Sequence, residues 1–117
     1  PNAISKPELE YKKLMHLDKQ YCQQFLPGLR FCFDFLNLKS KRIVEFFGDY
    51  WHANPNIYSA EYWHAYRQKT AKEIWECDRQ RSLSTEQLGF KIKIVWESDF
   101  KKDKEKISRE SYEFLFP

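Results

Sequence analysis

Apolar residues recur along this chain at two spacings, and these divide it into short strands and amphipathic helices. Phe31-Cys32-Phe33-Asp34-Phe35-Leu36 alternates, so a strand here sets Phe31, Phe33 and Phe35 on one face and Cys32, Asp34 and Leu36 on the other. Asn37 to Lys41 reads as a polar turn and Arg42 to Phe47 as a second strand, which completes a hairpin. Phe90 to Trp96 is a third strand, with Phe90, Ile92, Ile94 and Trp96 alternating against Lys91, Lys93 and Val95. Ser5-Lys6-Pro7-Glu8 is a capping box, with Ile4 and Leu9 as its hydrophobic staple, and predicts a helix from about Lys6 to Gln20. Pro27-Gly28 punctuates the chain before the hairpin, and Ala53 to Ser59 is a loop followed by a helical turn over Glu61 to Tyr66. Thr70-Ala71-Lys72-Glu73 is a second capping box, opening a helix that runs to about Leu88 and is closed by Gly89. A charged helix from Lys104 to Phe114 ends the pattern. This order predicts an α/β domain: a small mixed β-sheet flanked by helices, the third strand lying parallel to a hairpin strand through a right-handed crossover.

The 117 residues suffice for one core of this kind and not for a second of similar size. The chain begins with Pro1, so we expect a single domain that is processed or cut from a longer polypeptide. No apolar run is long enough for a signal peptide or a membrane span, which predicts a soluble, intracellular protein. Cys22, Cys32 and Cys77 are odd in number and include no C-x-x-C pair, which argues against a disulfide framework and against a structural zinc site. A net charge of +3 does not by itself mark a nucleic-acid binder. Ten Phe, seven Tyr and four Trp change the picture more, because rings left over from the core can stack on bases or wedge between them.

Charge then falls where the apolar pattern does not want it. The hairpin pairing brings Asp34 and Glu45 close enough to share an ion, and two hard carboxylates suit Mg²⁺ or Mn²⁺, with the backbone carbonyl of Phe46 as a third ligand. Such an ion is the minimum for metal-assisted phosphodiester hydrolysis. Taken alone, Glu45 reads equally well as the partner of Lys41 or Arg42. His52 follows Tyr50-Trp51 and has the titration range of a general base. Asp78 lies inside the second helix among Ile74, Trp75 and Cys77, where a carboxylate needs a partner: either His52, whose tautomer it would set, or Arg79 or Arg81. Glu8 either completes its cap or faces the metal side of the sheet through a bound water.

Four segments, Phe33-Asp34-Phe35, Ile43 to His52, Glu76-Cys77-Asp78-Arg79 and Gly89 to Glu97, resemble in order and spacing the very-short-patch-repair endonucleases. Those belong to the PD-(D/E)XK nuclease superfamily, and the nearest branch is similar to the catalytic domains of phage homing endonucleases with an E-D-x-H-D active site. The resemblance runs from about Ser5 to Leu115. It implies a metal-dependent DNA endonuclease in which Glu8 is the first-helix glutamate, Asp34 the metal aspartate, His52 the general base and Asp78 the carboxylate that orients it. Glu45 falls at the superfamily's second acidic ligand, and the lysine two positions on is replaced by Phe47, leaving activation of water to His52. Tyr50, Trp51 and Trp63 fall near aromatics that repair relatives wedge into the duplex. Lys91 and Lys93 are the first candidates for phosphate contacts, with Lys39, Lys41, Arg42 and the cluster from Lys101 to Lys106 behind them. Where the repair relatives carry zinc-binding Cys and His, this chain has Asp49, Asn54 and Asn56, which favours the homing branch and no structural zinc.

The expected partner is therefore double-stranded DNA, cut by a homodimer or by two sequential nicks, in the cytoplasm of a host bacterium if the protein is phage-encoded. A separate DNA-binding region is expected to choose the site. Two other functions stay open: a mismatch-repair-type nicking enzyme, and a nuclease-fold DNA-binding module without catalysis.

Overall fold

The computed structural model describes residues 5–26 and 31–117. The elements run α1 (Lys6–Met15), a 3₁₀ turn (Lys19–Tyr21), β1 (Cys22–Phe25), β2 (Cys32–Asn37), β3 (Arg42–Phe47), β4 (Trp63–His64), β5 (Lys69–Thr70), α2 (Ala71–Glu86), β6 (Lys91–Trp96), α3 (Glu97–Lys102) and α4 (Lys104–Leu115). Four strands form one mixed sheet in the order β1-β2-β3-β6, and β4 pairs with β5 in a separate ribbon. The first three are antiparallel, whereas β6 lies parallel to β3, aligned from Arg42–Lys91 to Phe47–Trp96. A parallel neighbour requires a crossover, which α2 supplies. The α/β class, the mixed sheet and the parallel third strand of the sequence pattern are all present.

Each face of the sheet has its own core. On one, Phe35, Val44, Phe46 and Val95 meet Tyr11 and Met15 of α1, Phe100 of α3 and Leu115 of α4. Tyr11 is the hub: its ring lies edge-on to Phe35 at 5.5 Å and Phe100 at 5.3 Å, and tilted on Phe46 at 5.2 Å. Truncating such a ring to alanine costs roughly 3–5 kcal/mol, because neighbours only partly fill the cavity. On the other face Leu26, Phe33, Leu36 and Ile43 pack with Phe31, Phe90 and Ile92. A third cluster, Ala53, Ala71 and Ile74 with Tyr58, Tyr62 and Trp75, seats α2 against the loop after β3. The hairpin is tied to α4, since Asn37 Nδ2 and Ser40 Oγ both donate to the Leu115 carbonyl at 2.8 Å.

Several expectations are corrected. α1 stops at Met15 rather than Gln20, because His16 turns left-handed (φ 52°) and the chain heads for the sheet edge. β1 and α3 were not predicted. The helical turn expected over Glu61–Tyr66 is instead strand β4 and the start of a turn, closed by the Gln68 N–H on the His64 carbonyl at 2.8 Å. Pairing of bulky Trp63 and His64 with Lys69 and Thr70 satisfies backbone groups that a single helical turn would leave open. α2 ends at Glu86, two residues early, and Gly89 takes its positive φ (92°) in the turn into β6. Phe31, Phe33 and Phe35 do not share one face: Phe35 lies in the first core, Phe31 and Phe33 in the second. Ile4 of the expected staple and Pro27-Gly28 lie outside the described residues. Among the described residues no helix is long and apolar enough to cross a membrane.

Candidate active site

The broken alternation in β2 marks the site. The β2–β3 ladder pairs Asn37 with Arg42, Leu36 with Ile43 and Phe35 with Val44. The next rung would set Asp34 against Glu45, and there side chains replace the ladder. Glu45 Oε1 accepts from the Asp34 N–H at 3.2 Å, and Asp34 Oδ2 accepts from the Phe46 N–H at 2.7 Å. Gln23, in β1 with a left-handed backbone (φ 52°), donates its amide to Asp34 Oδ1 at 3.2 Å. The hairpin thus delivers both predicted ligands to one spot.

Glu8 joins them from α1. Only half of its expected capping box forms: the Ser5 hydroxyl accepts from the Glu8 N–H at 3.3 Å, while the Glu8 carboxylate turns to Lys12 at 3.6 Å and to the neighbourhood of Asp34. The Thr70–Glu73 box, by contrast, is complete. Burial, reinforced by the negative charge of Asp34, pushes Glu8 up to about 7 and Glu45 up to about 8. Arg81 lies 3.2 Å from Glu45 and pulls the other way, but desolvation of a side chain only 8% exposed outweighs it.

These shifts set a pH dependence. Both carboxyls hold protons in the folded chain after the unfolded chain, with carboxyls near 4.5, has lost them. Stability is therefore greatest near the unfolded value and falls as the pH rises through about 7 and about 8. We expect melting temperature to drop by roughly 10 °C or more between about pH 5 and about pH 9. Glu45→Gln should flatten most of that slope, and millimolar Mg²⁺ should restore stability at the alkaline end only. Thermal melts across this range, with and without Mg²⁺, check all three.

The third group comes from the loop after β3 and from α2. Asp78 Oδ2 lies 2.9 Å from His52 Nδ1, and the imidazole stacks on Phe47 with ring centres 3.7 Å apart and planes 4° apart. The partner of Asp78 is His52, while Arg79 pairs with Glu76 at 2.6 Å. A carboxylate on Nδ1 assigns the proton to that nitrogen and leaves the Nε2 lone pair to accept another. One face of α2 carries the arrangement, because residues three apart on a helix are neighbours. Trp75 Nε1 donates to the Ala53 carbonyl at 2.6 Å, Asp78 holds His52, and Arg81 reaches Glu45 and the Cys32 carbonyl. From the other side, Asp49 Oδ1 accepts from Asn54 Nδ2 at 2.9 Å and from the Ser98 hydroxyl at 3.2 Å, and the Asp49 N–H donates to Glu97 at 3.1 Å. Asn54 is buried. Asp49 and Asn54 therefore tie the His52 loop to α3 by hydrogen bonds.

Glu8, Asp34, Glu45, Phe46, Trp51, His52 and Asp78 all line one cleft of about 520 Å³. Tyr66, Arg67 and Arg81 line it too and were not read as site residues. Arg67 stacks over the Trp51 ring at 4.9 Å and donates to the Trp51 carbonyl at 2.9 Å, so the β4–β5 turn and the His52 loop make one aromatic rim. His64 anchors that rim: it is fully buried, accepts the Arg67 N–H on Nδ1 at 3.1 Å, and packs 4.1 Å from the Tyr50 ring. Tyr50 and Trp63 are exposed beside the rim without lining the cleft. Lys91 and Lys93 align with Arg42 and Val44, the second of these one rung before Glu45, and do not line it either.

Among the described residues no three His, Cys, Asp or Glu side chains converge closely enough to hold a metal unaided. Mg²⁺ does not need three, since it keeps several waters and is held by one or two carboxylates plus substrate phosphate. Asp34 and Glu45 fit that demand, being hard oxygen donors in a crowded acidic cleft. Phe46 reaches the cleft wall, with its N–H committed to Asp34. No family model, curated protein or solved structure matches the chain.

Proposed function

We propose that the chain is the catalytic domain of a metal-dependent DNA endonuclease with a PD-(D/E)XK-type core, similar to the phage homing branch of the very-short-patch-repair endonucleases. One observation carries the reading: residues from α1, β2, β3, the following loop and α2 meet in a single cleft, with His52 Nδ1 on Asp78. A Mg²⁺ or Mn²⁺ ion bound by Asp34 and Glu45 would supply Lewis-acid stabilisation of charge on the phosphate. His52 then needs only to take a proton on Nε2 from a water in the cleft. The resulting hydroxide adds to phosphorus, the bond to the leaving sugar oxygen breaks, and that oxygen takes a proton from solvent. Asp78 holds the imidazole in the correct tautomer and stabilises its charged form. Phe47 fixes the ring plane from the opposite side, in the position where the superfamily pattern has lysine.

A DNA-binding module without catalysis accounts for less. It has no use for Glu8, Asp34 and Glu45 crowded together with two of them pushed far above their ordinary titration range. The test is relaxation of supercoiled plasmid by the purified protein in Mg²⁺ or Mn²⁺, with EDTA as control. Nicked circles that form only with the ion support the reading. Intact plasmid in both ions, at protein excess, would overturn it.

A further inference from the structure

Of the three side chains along this face of α2, Trp75 and Asp78 are engaged by the His52 loop, and the third has a different situation. Arg81 Nη2 donates to the Cys32 carbonyl at 2.7 Å and to Glu45 Oε1 at 3.2 Å. Its guanidinium lies over the rings of Phe33 at 4.9 Å and Phe31 at 5.2 Å. The side chain keeps 26% of its surface exposed and lines the cleft. Among the described residues only Nη2 is bonded, so Nε and Nη1 retain their donors.

A guanidinium stacked on aromatic faces is held by its plane and leaves its donor edge available, and that edge matches two phosphate oxygens as well as it matches a carboxylate. The cleft is otherwise hostile to a polyanion. Glu8, Asp34, Glu45 and Asp78 line it, and Arg67 and Arg81 are its only Lys or Arg side chains among the described residues. Arg67 sits on the rim against Trp51, whereas Arg81 sits beside the two carboxylates of the hairpin. A divalent cation and Arg81 would compete for the same Glu45 oxygen.

We propose that Arg81 is a positioning residue shared by two anions: it holds the Glu45 carboxylate in place, and when a divalent cation takes that carboxylate it turns its free donors to the phosphodiester of a bound strand. The exchange links binding of the ion to binding of DNA. It rests on the nuclease reading and adds to it an order of events, ion first and duplex second.

The test uses Arg81→Met, which keeps the stem against Phe31 and Phe33 and removes the charge, beside Arg81→Lys, which keeps the charge and removes the fork. Two quantities are read on the intact chain: Mn²⁺ affinity by calorimetry, and affinity for a labelled DNA duplex in Ca²⁺ against EDTA. Wild type should bind duplex about tenfold more tightly in Ca²⁺. Arg81→Met should bind Mn²⁺ more tightly than wild type, by about threefold or more, and lose most of the Ca²⁺-dependent gain, with Arg81→Lys between. Wild-type Mn²⁺ affinity with an undiminished Ca²⁺ gain in Arg81→Met would overturn the proposal, leaving Arg81 a structural cation. Should Arg81→Met not fold, the same comparison in Arg81→Lys decides: a wild-type Ca²⁺ gain overturns the exchange and a reduced one supports it. Failure of the nuclease reading looks different, as wild type itself would then bind no Mn²⁺ and would hold duplex equally well in Ca²⁺ and in EDTA.

Discussion

Asp34→Ala should lower plasmid cleavage by about 10³-fold or more while leaving the fold intact. Loss of an ion that stabilises the phosphate by several kcal/mol corresponds to such a factor, each 1.4 kcal/mol counting about tenfold. The fold should survive because Asp34 is half-buried at the cleft and belongs to none of the three apolar clusters. Its removal leaves the Phe46 N–H and the Gln23 amide without their acceptor, a cost of about 1–3 kcal/mol for a group that stays buried. Against that, it takes away the negative charge that helps push Glu8 and Glu45 upward. The two effects oppose each other, and the balance tips toward the variant as pH rises. Cleavage rates, with circular dichroism melts at acid and alkaline pH, check both halves. A variant that cuts like wild type would place the metal elsewhere.

Asp78→Asn should lower cleavage by about 10²–10⁴-fold, the range for a general base that loses its orientation. An amide in place of the carboxylate presents a donor as readily as an acceptor to His52 Nδ1. The tautomer is then no longer set, and the imidazolium loses its counter-charge. On the proposed nuclease reading Asp78 touches the reaction only through His52, so the two substitutions should not add: His52→Ala should cost about as much as the pair His52→Ala with Asp78→Asn. A further large loss in the double variant would mean that Asp78 acts on metal or substrate directly. Arg79 gives a control, since it pairs with Glu76 at the surface and its truncation should leave the rate unchanged.

The parts of this site that could be read from sequence are those where a local pattern and a chemical oddity coincide. Asp34 and Glu45 interrupt apolar strands whose turn fixes their register, so their meeting follows from the hairpin. Asp78 stands inside a helix that a complete capping box opens, and a half-buried carboxylate among apolar neighbours demands a partner. Other parts depend on contacts that no local pattern reports. β1, Cys-Gln-Gln-Phe, is too polar to declare itself, yet its Gln23 orients Asp34. The β4–β5 ribbon has two residues per strand, below what alternation can reveal, and it carries Tyr66 and Arg67 to the rim. Arg81 meets Glu45 across 36 positions of sequence, although its spacing of three from Asp78 and of six from Trp75 was visible. Lys91 and Lys93 show the converse: their alternation was legible, but it does not report that neither side chain lines the cleft.

The proposed nuclease activity depends on Asp34 and Glu45 holding one divalent ion beside an imidazole oriented by Asp78. The most direct measurement is diffraction from crystals soaked in Mn²⁺, at a wavelength where manganese scatters anomalously. A peak is expected in the cleft at roughly 2 Å from one carboxylate oxygen of Asp34 and one of Glu45, with His52 Nδ1 still on Asp78. A peak bound by neither carboxylate, or an imidazole turned away from Asp78 in the loaded site, would contradict it.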